Sequence, residues 1–128
     1  MVNDAEKRAI AERFLAALQN RQWAALRNEF TDDAVWNLPG SSKIPGLAAG
    51  ADAVVERAQL IASYGLNFAL KGVLYGSEGV TLSINNTAHR GELVLDEHLA
   101  TVCRVRDGKI SRIDTYLSDV SMMNAFFV

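Results

Sequence analysis

Apolar side chains in the first part of the chain recur with the period of an α-helix. Ile10, Phe14 and Leu18 follow one another at intervals of four residues, which places them on one helical face. Asn3 followed by Glu6 resembles a capping box and predicts where this helix begins. The first helix is therefore expected to present Phe14 to the interior.

The same spacing indicates two further helices. Trp23, Leu26 and Phe30 predict a short second helix. A third helix is expected to be capped by Asp52 and to end at Gly65. Its predicted apolar face consists of Val54, Ala58 and Ile61.

Between the second and third helices the pattern changes to alternation with a period of two. Ala34, Trp36 and Leu38 share one parity, as they would in a strand. The strand is expected to end at Pro39 because proline has no N–H to donate to a sheet. A Gly-rich loop is expected over residues 41–50.

The second half of the chain predicts an antiparallel sheet. Four apolar or alternating runs cover residues 66–75, 80–89, 93–106 and 109–117, and the turn sequences GSEG, RG and RDG separate them. Helices come first and strands last, so the fold class is α+β, with helices covering one face of a curved sheet. We expect one domain over residues 1–128.

Alternate side chains along a strand point to opposite faces of this sheet. The length of each hairpin turn decides which residues of the next strand share a face with those of the previous one. We expect a tight turn at residues 90–91 and a three-residue RDG loop with Gly108 at a bulge position. A two-residue RDG turn would instead flip the last strand. The covered face is then Val80, Leu82, Ile84, Ala88, Leu93, Leu95, Glu97, Leu99, Thr101, Cys103, Ile113, Thr115 and Leu117. The opposite face carries Asp96, His98, Arg104, Arg112, Asp114 and Tyr116.

Composition narrows the classes of function. Hydrophobic residues make up 49% and charged residues 22% of the 128 residues, which is typical of a globular protein. The net charge is −2 with scattered Lys and Arg, so nucleic acid is not an expected partner, and no apolar run is long enough to span a membrane. One cysteine, Cys103, and two histidines favour neither a disulfide nor a metal site. We expect a cytoplasmic protein without a cofactor.

Two stretches resemble the nuclear transport factor 2-like superfamily, in its SnoaL-like and ketosteroid-isomerase-like branch. They are ERFLAALQNRQWAALRNEFTDDAVWNLPG and RVRDGKISRIDTYLSD, and the resemblance spans nearly the whole chain. It implies a cone-shaped fold in which three N-terminal helices pack on a curved, mainly antiparallel mixed sheet, and a homodimer formed through the exposed sheet face. The fold hosts isomerases, cyclases, epoxide hydrolases, dehydratases and non-enzymatic dimers.

The catalytic residues of two enzyme classes in this superfamily do not carry over. Where the steroid isomerases place a tyrosine donor, an aspartate base and a second aspartate donor, this chain has Phe14, Leu38 and Thr101. The corresponding epoxide hydrolase positions hold Thr115, Asn86 and Ala88. The resemblance therefore implies neither of these two chemistries.

The resemblance to SnoaL-type polyketide cyclases suggests acid–base groups around an apolar cavity, without a metal. Glu97 and Asp119 are the candidate catalytic residues, because apolar surroundings make a carboxyl group a usable acid or base. The structural alternative is that Glu97 hydrogen-bonds a backbone group and Asp119 caps the C-terminal segment. His98 lies by parity on the polar face, where a structural or interface role is favoured over catalysis.

By the same resemblance, Trp36 faces the cavity, where its indole would supply a flat wall and one N–H donor. The alternative is that Trp36 only fills core space. An apolar lining selects a lipophilic, ring-sized ligand by shape. The predicted substrate-binding residues are Phe14, Leu18, Trp36, Leu38, Tyr64, Leu82, Ile84, Leu99, Thr101, Ile113, Thr115 and Leu117.

The sequence thus predicts a protein that binds a small hydrophobic molecule and isomerises, cyclises or hydrates it by metal-free acid–base chemistry. Two alternatives belong to other classes of function. One is a non-catalytic ligand-binding or dimerisation module of the same fold. The other is an accessory subunit that docks on a larger enzyme through its exposed sheet.

Overall fold

A mixed sheet of six strands, in the order β2-β1-β6-β5-β4-β3, organises the computed structural model, which describes residues 3–128. The strands in this part of the chain are β1 (Phe30–Leu38), β2 (Gly46–Ala49), β3 (Asn67–Tyr75), β4 (Gly79–Arg90), β5 (Leu93–Arg106) and β6 (Lys109–Leu117). The helices are α1 (Asp4–Gln19), α2 (Trp23–Asn28), α3 (Ala51–Ala62) and α4 (Val120–Phe126).

The sheet is antiparallel except at one pairing. Strands β3 to β6 form an antiparallel meander, β1 runs parallel to β6, and β2 returns antiparallel to β1. The helices pack on one face of this open sheet, which confirms the predicted α+β fold class and its mainly antiparallel mixed sheet. The sheet therefore has one covered face, on which any enclosed cavity must lie.

Helix α1 follows the predicted pattern. The Asn3 side chain accepts a hydrogen bond from the Glu6 backbone N–H at 2.9 Å, which caps the first turn. Ile10, Phe14 and Leu18 are all buried, as their spacing predicted. The Phe14 ring packs edge-on against Phe30, with the ring centroids 6.0 Å apart.

Three boundary predictions were wrong near α2 and α3. Phe30 is the first residue of β1 and not the end of the second helix, and the expected loop over residues 41–50 contains β2. Gly50 occupies the N-cap position of α3, while the carboxylate of Asp52 lies 3.0 Å from the Arg27 guanidinium. Side-chain patterns located α2, β1 and α3 but not β2, which forms by pairing with β1.

The β5–β6 hairpin closes differently from the prediction but reaches the same result. Arg106 pairs with Lys109, so the turn has two residues, and both Asp107 and Gly108 adopt positive φ, as a type I′ turn requires. The register shifts beside Ser111, where a bulge adds one residue to β6. The bulge cancels the expected flip, and Thr115 stays on the covered face opposite Thr101.

The β4–β5 hairpin is also displaced along the chain. Arg90 pairs with Leu93, so Gly91 and Glu92 form the turn instead of residues 90–91. The shift moves the pairing by two residues and leaves the parity unchanged. Glu97 therefore remains on the covered face, directly opposite Asn86.

Helix α4 was not predicted. It follows β6 and packs its Met123 and Phe126 side chains into the core. The Tyr64 ring lies 4.9 Å from the Phe127 ring and 6.2 Å from the Phe126 ring, centroid to centroid. Helix α4 and the residues after it thus pack on the covered face of the sheet.

Within residues 3–128, no helix combines the length and the apolar character needed to cross a membrane.

Candidate functional site

A cavity of about 60 Å³ lies between the helices and the covered face of the sheet. Its apolar lining is Phe14, Leu18, Trp36, Leu38, Ile44, Ala58, Ile61, Leu66, Phe68, Ile84, Leu95, Leu99, Leu117, Met123 and Phe127. Its polar lining is Asn86, Glu97, Thr101 and Thr115. Helices α1, α3 and α4 and strands β1, β3, β4, β5 and β6 all contribute to this wall.

Most of the residues selected from the sequence lie around this cavity. The lining includes Glu97 and, of the expected substrate-binding residues, Phe14, Leu18, Trp36, Leu38, Ile84, Leu99, Thr101, Thr115 and Leu117. Four selected residues lie elsewhere. Leu82 and Ile113 are packed in the core, Tyr64 packs edge-on against Phe127, and Asp119 lies at the start of α4.

Several lining residues were missed. Asn86 shares the parity of Ile84 and Ala88, so strand alternation could have placed it on the covered face, although not specifically at the cavity. Phe68 lies opposite Asn86 on β3, in a strand whose register the sequence did not fix. Met123 and Phe127 reach the cavity only because α4 folds back over the sheet, and no pattern around β6 signals that contact.

The Glu97 carboxylate is buried, with 2% of the residue exposed. Its Oε2 atom accepts hydrogen bonds from Ser118 Oγ at 2.5 Å and from the Asp119 backbone N–H at 2.7 Å. Its Oε1 atom is buried and has no hydrogen-bond partner among the described residues. One oxygen thus fixes the orientation of the group, and the other is unpaired.

Asp119 has a local structural contact. Its Oδ1 atom accepts a hydrogen bond from the Met122 backbone N–H at 2.9 Å, which makes Asp119 the N-cap of α4. Because its backbone N–H also donates to Glu97, the start of α4 is tied to the centre of the covered face. Among the described residues, the carboxylate of Glu97 is the only one in the cavity lining.

The N–H of Trp36 is already used within the protein. Trp36 Nε1 donates to Thr115 Oγ1 at 2.8 Å, which leaves the hydroxyl hydrogen of Thr115 as the donor at this part of the wall. Behind the indole, the Arg57 guanidinium lies 5.2 Å from the ring centroid and donates to the Trp36 carbonyl at 2.9 Å. Burial lowers the pKa of Arg57 from its ordinary value. These contacts hold the indole in place as a wall.

Polar contacts from outside the helix hold α4 and the chain end in place. Arg90 donates to the backbone carbonyls of Phe126 at 2.6 Å and Val128 at 3.2 Å, and its guanidinium lies 4.6 Å from the Tyr64 ring centroid. Asn124 Oδ1 accepts from the backbone N–H groups of Ser41 and Ser42. The α4 wall of the cavity is therefore attached at several points along its length.

Two other candidate groups lie away from the cavity. His98 is exposed on the opposite face of β5, where its backbone N–H donates to Ser118 Oγ at 2.9 Å. Cys103 is buried in the core, and burial raises the pKa of its thiol to about 12. Over residues 3–128, the structure contains no cluster of three or more His, Cys, Asp or Glu side chains placed to hold a metal ion.

The sequence matches one family model. Residues 11–113 match the model of the SnoaL-like domain, which covers more than half of the chain. A comparison with curated protein sequences gave no match.

Solved structures share the fold at low sequence identity. Bal32a, from a soil-derived mobile gene cassette, superposes with a TM-score of 0.90 at 24% identity, over 97% of this chain and 98% of that one. An NTF2-like protein from Burkholderia xenovorans LB400 has a TM-score of 0.79 at 18% identity, over 98% and 99% of the two chains. TerC, co-crystallised with polyporic acid, has a TM-score of 0.81 at 13% identity, over 94% and 98%. At these identities the likeness shows the fold alone.

Proposed function

Since the chain belongs to the SnoaL-like domain family, within the NTF2-like superfamily, we propose that it binds a small hydrophobic molecule in its cavity and transforms it by acid–base chemistry at Glu97. The family assignment confirms the resemblance seen in the sequence. The reaction classes that fit are isomerisation, cyclisation and hydration. One observation carries the proposal: a buried carboxylate with one unpaired oxygen in a wall that is otherwise almost entirely apolar.

The arrangement of Glu97 suits proton transfer. Two donors hold Oε2, so the carboxylate cannot rotate without losing both hydrogen bonds, and Oε1 keeps its lone pairs for a ligand proton. Thr115 supplies the complementary group, because its hydroxyl accepts from Trp36 and can donate to a ligand oxygen. A ligand held between them would meet a base and a hydrogen-bond donor.

The size of the cavity limits how a ligand could enter. Sites that enclose drug-sized ligands occupy roughly 300 Å³ or more, whereas this cavity measures about 60 Å³. A ring-sized ligand therefore has to displace part of the wall. We propose that α4 moves and that its contacts with Arg90 and Ser41 rearrange, because Met123 of α4 and Phe127 directly after it form one wall of the cavity.

Binding is tested first by native mass spectrometry of the purified protein, followed by thermal-shift screening with lipophilic ring compounds. The Ala58→Phe variant fills the cavity from α3, whereas Ala16→Phe adds the same side chain to an exposed position of α1. We expect ligand binding to be lost only in Ala58→Phe, with circular dichroism confirming that both variants fold. Equal binding by the two variants would place the ligand elsewhere.

Catalysis is tested with Glu97→Gln once a substrate is identified. The amide oxygen of glutamine can still accept from Ser118 and Asp119, while the amide nitrogen replaces the basic oxygen. We expect turnover of bound substrate, measured at saturating concentration, to fall by about a hundredfold or more, as when a general base is removed. Undiminished turnover would show that Glu97 is not catalytic.

A second function is favoured by the same hydrogen bonds. Because Glu97 Oε2 ties down the start of α4, Glu97 also suits a purely structural role in a non-catalytic ligand-binding module. In that case Glu97→Gln would leave ligand binding intact, and no compound that binds would be converted to a product. Product analysis by mass spectrometry separates the two functions.

We also propose that the protein forms a homodimer through the uncovered sheet face. Four large apolar residues are exposed there on four different strands, namely Leu47, Leu74, Val94 and Tyr116. Tyr116, at 66%, has the largest exposed fraction of the four. A second copy of the chain would remove these side chains from water.

A further inference from the structure

The cavity wall contains two neighbouring hydrogen-bond acceptors that have no donor among the described residues. Glu97 Oε1 and Asn86 Oδ1 are both buried, and neither accepts a hydrogen bond from any residue that the structure describes. Glu97 and Asn86 are direct cross-strand partners on β5 and β4, and both line the cavity. A buried acceptor without a partner is costly, so two adjacent ones favour a ligand that brings hydrogen-bond donors.

We propose that Glu97 and Asn86 form an acceptor pair that binds two adjacent hydroxyl groups at the polar end of a hydrophobic ring ligand. This inference rests on the proposed function and specifies the class of its ligand. A hydroxyl group carries one hydrogen and satisfies one acceptor, so two acceptors require two donors. Side chains directly opposite each other on paired strands have their Cβ atoms about 5 Å apart, which suits neighbouring substituents on one ring.

The surroundings favour a neutral ligand over an anion. Among the described residues, the lining contains no Lys, Arg or His to balance a negative charge on the ligand. Glu97 already brings one carboxylate to this wall, and a second anion beside it would be repelled. Beyond the acceptor pair, the nearest lining residues on the same two strands are Ile84, Leu95 and Leu99, which suit a ring and not a charged group.

The test compares small probes that differ only in their donors. Isothermal titration calorimetry is carried out with 4-methylcatechol, kept reduced, with 4-methylphenol, and with 1,2-dimethoxy-4-methylbenzene. These carry two hydroxyls, one hydroxyl and none. We expect 4-methylcatechol to bind about tenfold more tightly than 4-methylphenol, which corresponds to one added hydrogen bond. The dimethoxy compound is expected to bind most weakly.

Two variants connect this preference to the acceptor pair. Asn86→Leu keeps the branched shape and the number of heavy atoms of the side chain but removes its polar groups, so the affinity for 4-methylcatechol should fall to that for 4-methylphenol. Thr87→Leu alters the neighbouring residue, which lies on the opposite face of β4, and should leave the tenfold preference unchanged. Thermal melts of both variants establish that the fold is retained.

Each result bears on a specific claim. Equal affinities of the wild-type protein for 4-methylcatechol and 4-methylphenol would overturn the acceptor pair and leave the proposed hydrophobic binding site standing. Tighter binding of 4-methylbenzylamine than of 4-methylcatechol would show that the pair recognises a cation and not two hydroxyls. If none of the ring compounds binds, the acceptor pair and the proposed function both fail.

Discussion

Glu97 carries two roles in one carboxylate. Oε2 bonds to Ser118 and Asp119 and so fixes where α4 begins, while Oε1 has no partner within the described part of the chain. A ligand that binds Glu97 as proposed would therefore contact a side chain that also positions α4.

Cys103 shows how burial suppresses the chemistry of a side chain. It is almost completely buried, and burial raises the pKa of its thiol to about 12 because the thiolate would lose its hydration. We expect native protein at pH 8 to react with a thiol reagent such as iodoacetamide at least a hundredfold more slowly than urea-unfolded protein, in which the pKa returns to about 8.5. Mass spectrometry of timed samples measures both rates, and rapid labelling of the native protein would contradict the burial of Cys103.

At the scale of elements, α4 depends on contacts at its first turn. Asp119→Ala removes the acceptor for the Met122 backbone N–H and should lower the free energy of unfolding by about 1 kcal/mol. Asp119→Asn keeps a capping oxygen and should change stability by only a few tenths of that amount. Urea titration followed by circular dichroism measures both variants. Equal losses would show that the charge of Asp119, and not its cap, matters.

The β5–β6 hairpin shows why a turn sequence did not settle the register. The stretch RDG fits either a two-residue or a three-residue loop, and each loop alone would give the last strand a different parity. The structure combines the two-residue turn with the bulge at Ser111, so that Ile113 and Thr115 face the helices. Burial of Ile113 stabilises only this register, and the bulge accommodates it.

At the scale of the whole molecule, surface ion pairs connect different secondary-structure elements. Asp32 on β1 accepts from Arg27 on α2 at 2.8 Å, and Asp33 pairs with Arg106 on β5. Hydrogen bonds from these arginines hold the pKa of each aspartate below its ordinary value of 3.8. Both carboxylates are fully exposed, so each contribution to stability is small and depends on salt.

The lowered pKa values predict a loss of stability in acid. The aspartates are charged and stabilise the fold above pH 3.8, and the contribution disappears as the pH falls through their folded pKa. At pH 7 the double variant Asp32→Asn/Asp33→Asn should therefore melt at a slightly lower temperature than the wild-type protein. Once the pH lies below the folded pKa values of both aspartates, the two proteins should melt at the same temperature. Melting curves across this range, with and without 1 M NaCl, provide the measurement. A difference that persists in acid would assign the effect to packing.

The exposed sheet face predicts the state of assembly. If the proposed dimer forms, sedimentation equilibrium should give twice the chain mass of 14.0 kDa. Tyr116→Asp should shift the population towards monomer, because it places a charge among the exposed apolar residues of that face. Leu60→Asp, at an exposed position of α3, serves as the matched control and should remain dimeric. A wild-type protein that is monomeric at all concentrations would contradict the proposed homodimer.

The sequence by itself determined the type of most elements and the face on which most side chains lie. The period of apolar residues is a local property, so Phe14, Leu38 and Glu97 could be assigned to the covered side, whereas the side of Thr115 depended on the β5–β6 register. Only the tertiary structure decided which of the covered residues surround empty space. Leu82 has the right parity yet fills the core, while Asn86, Met123 and Phe127 reach the cavity. A cavity forms where side chains from distant segments do not fill the space between them. No local sequence pattern records how far apart those segments lie in the fold.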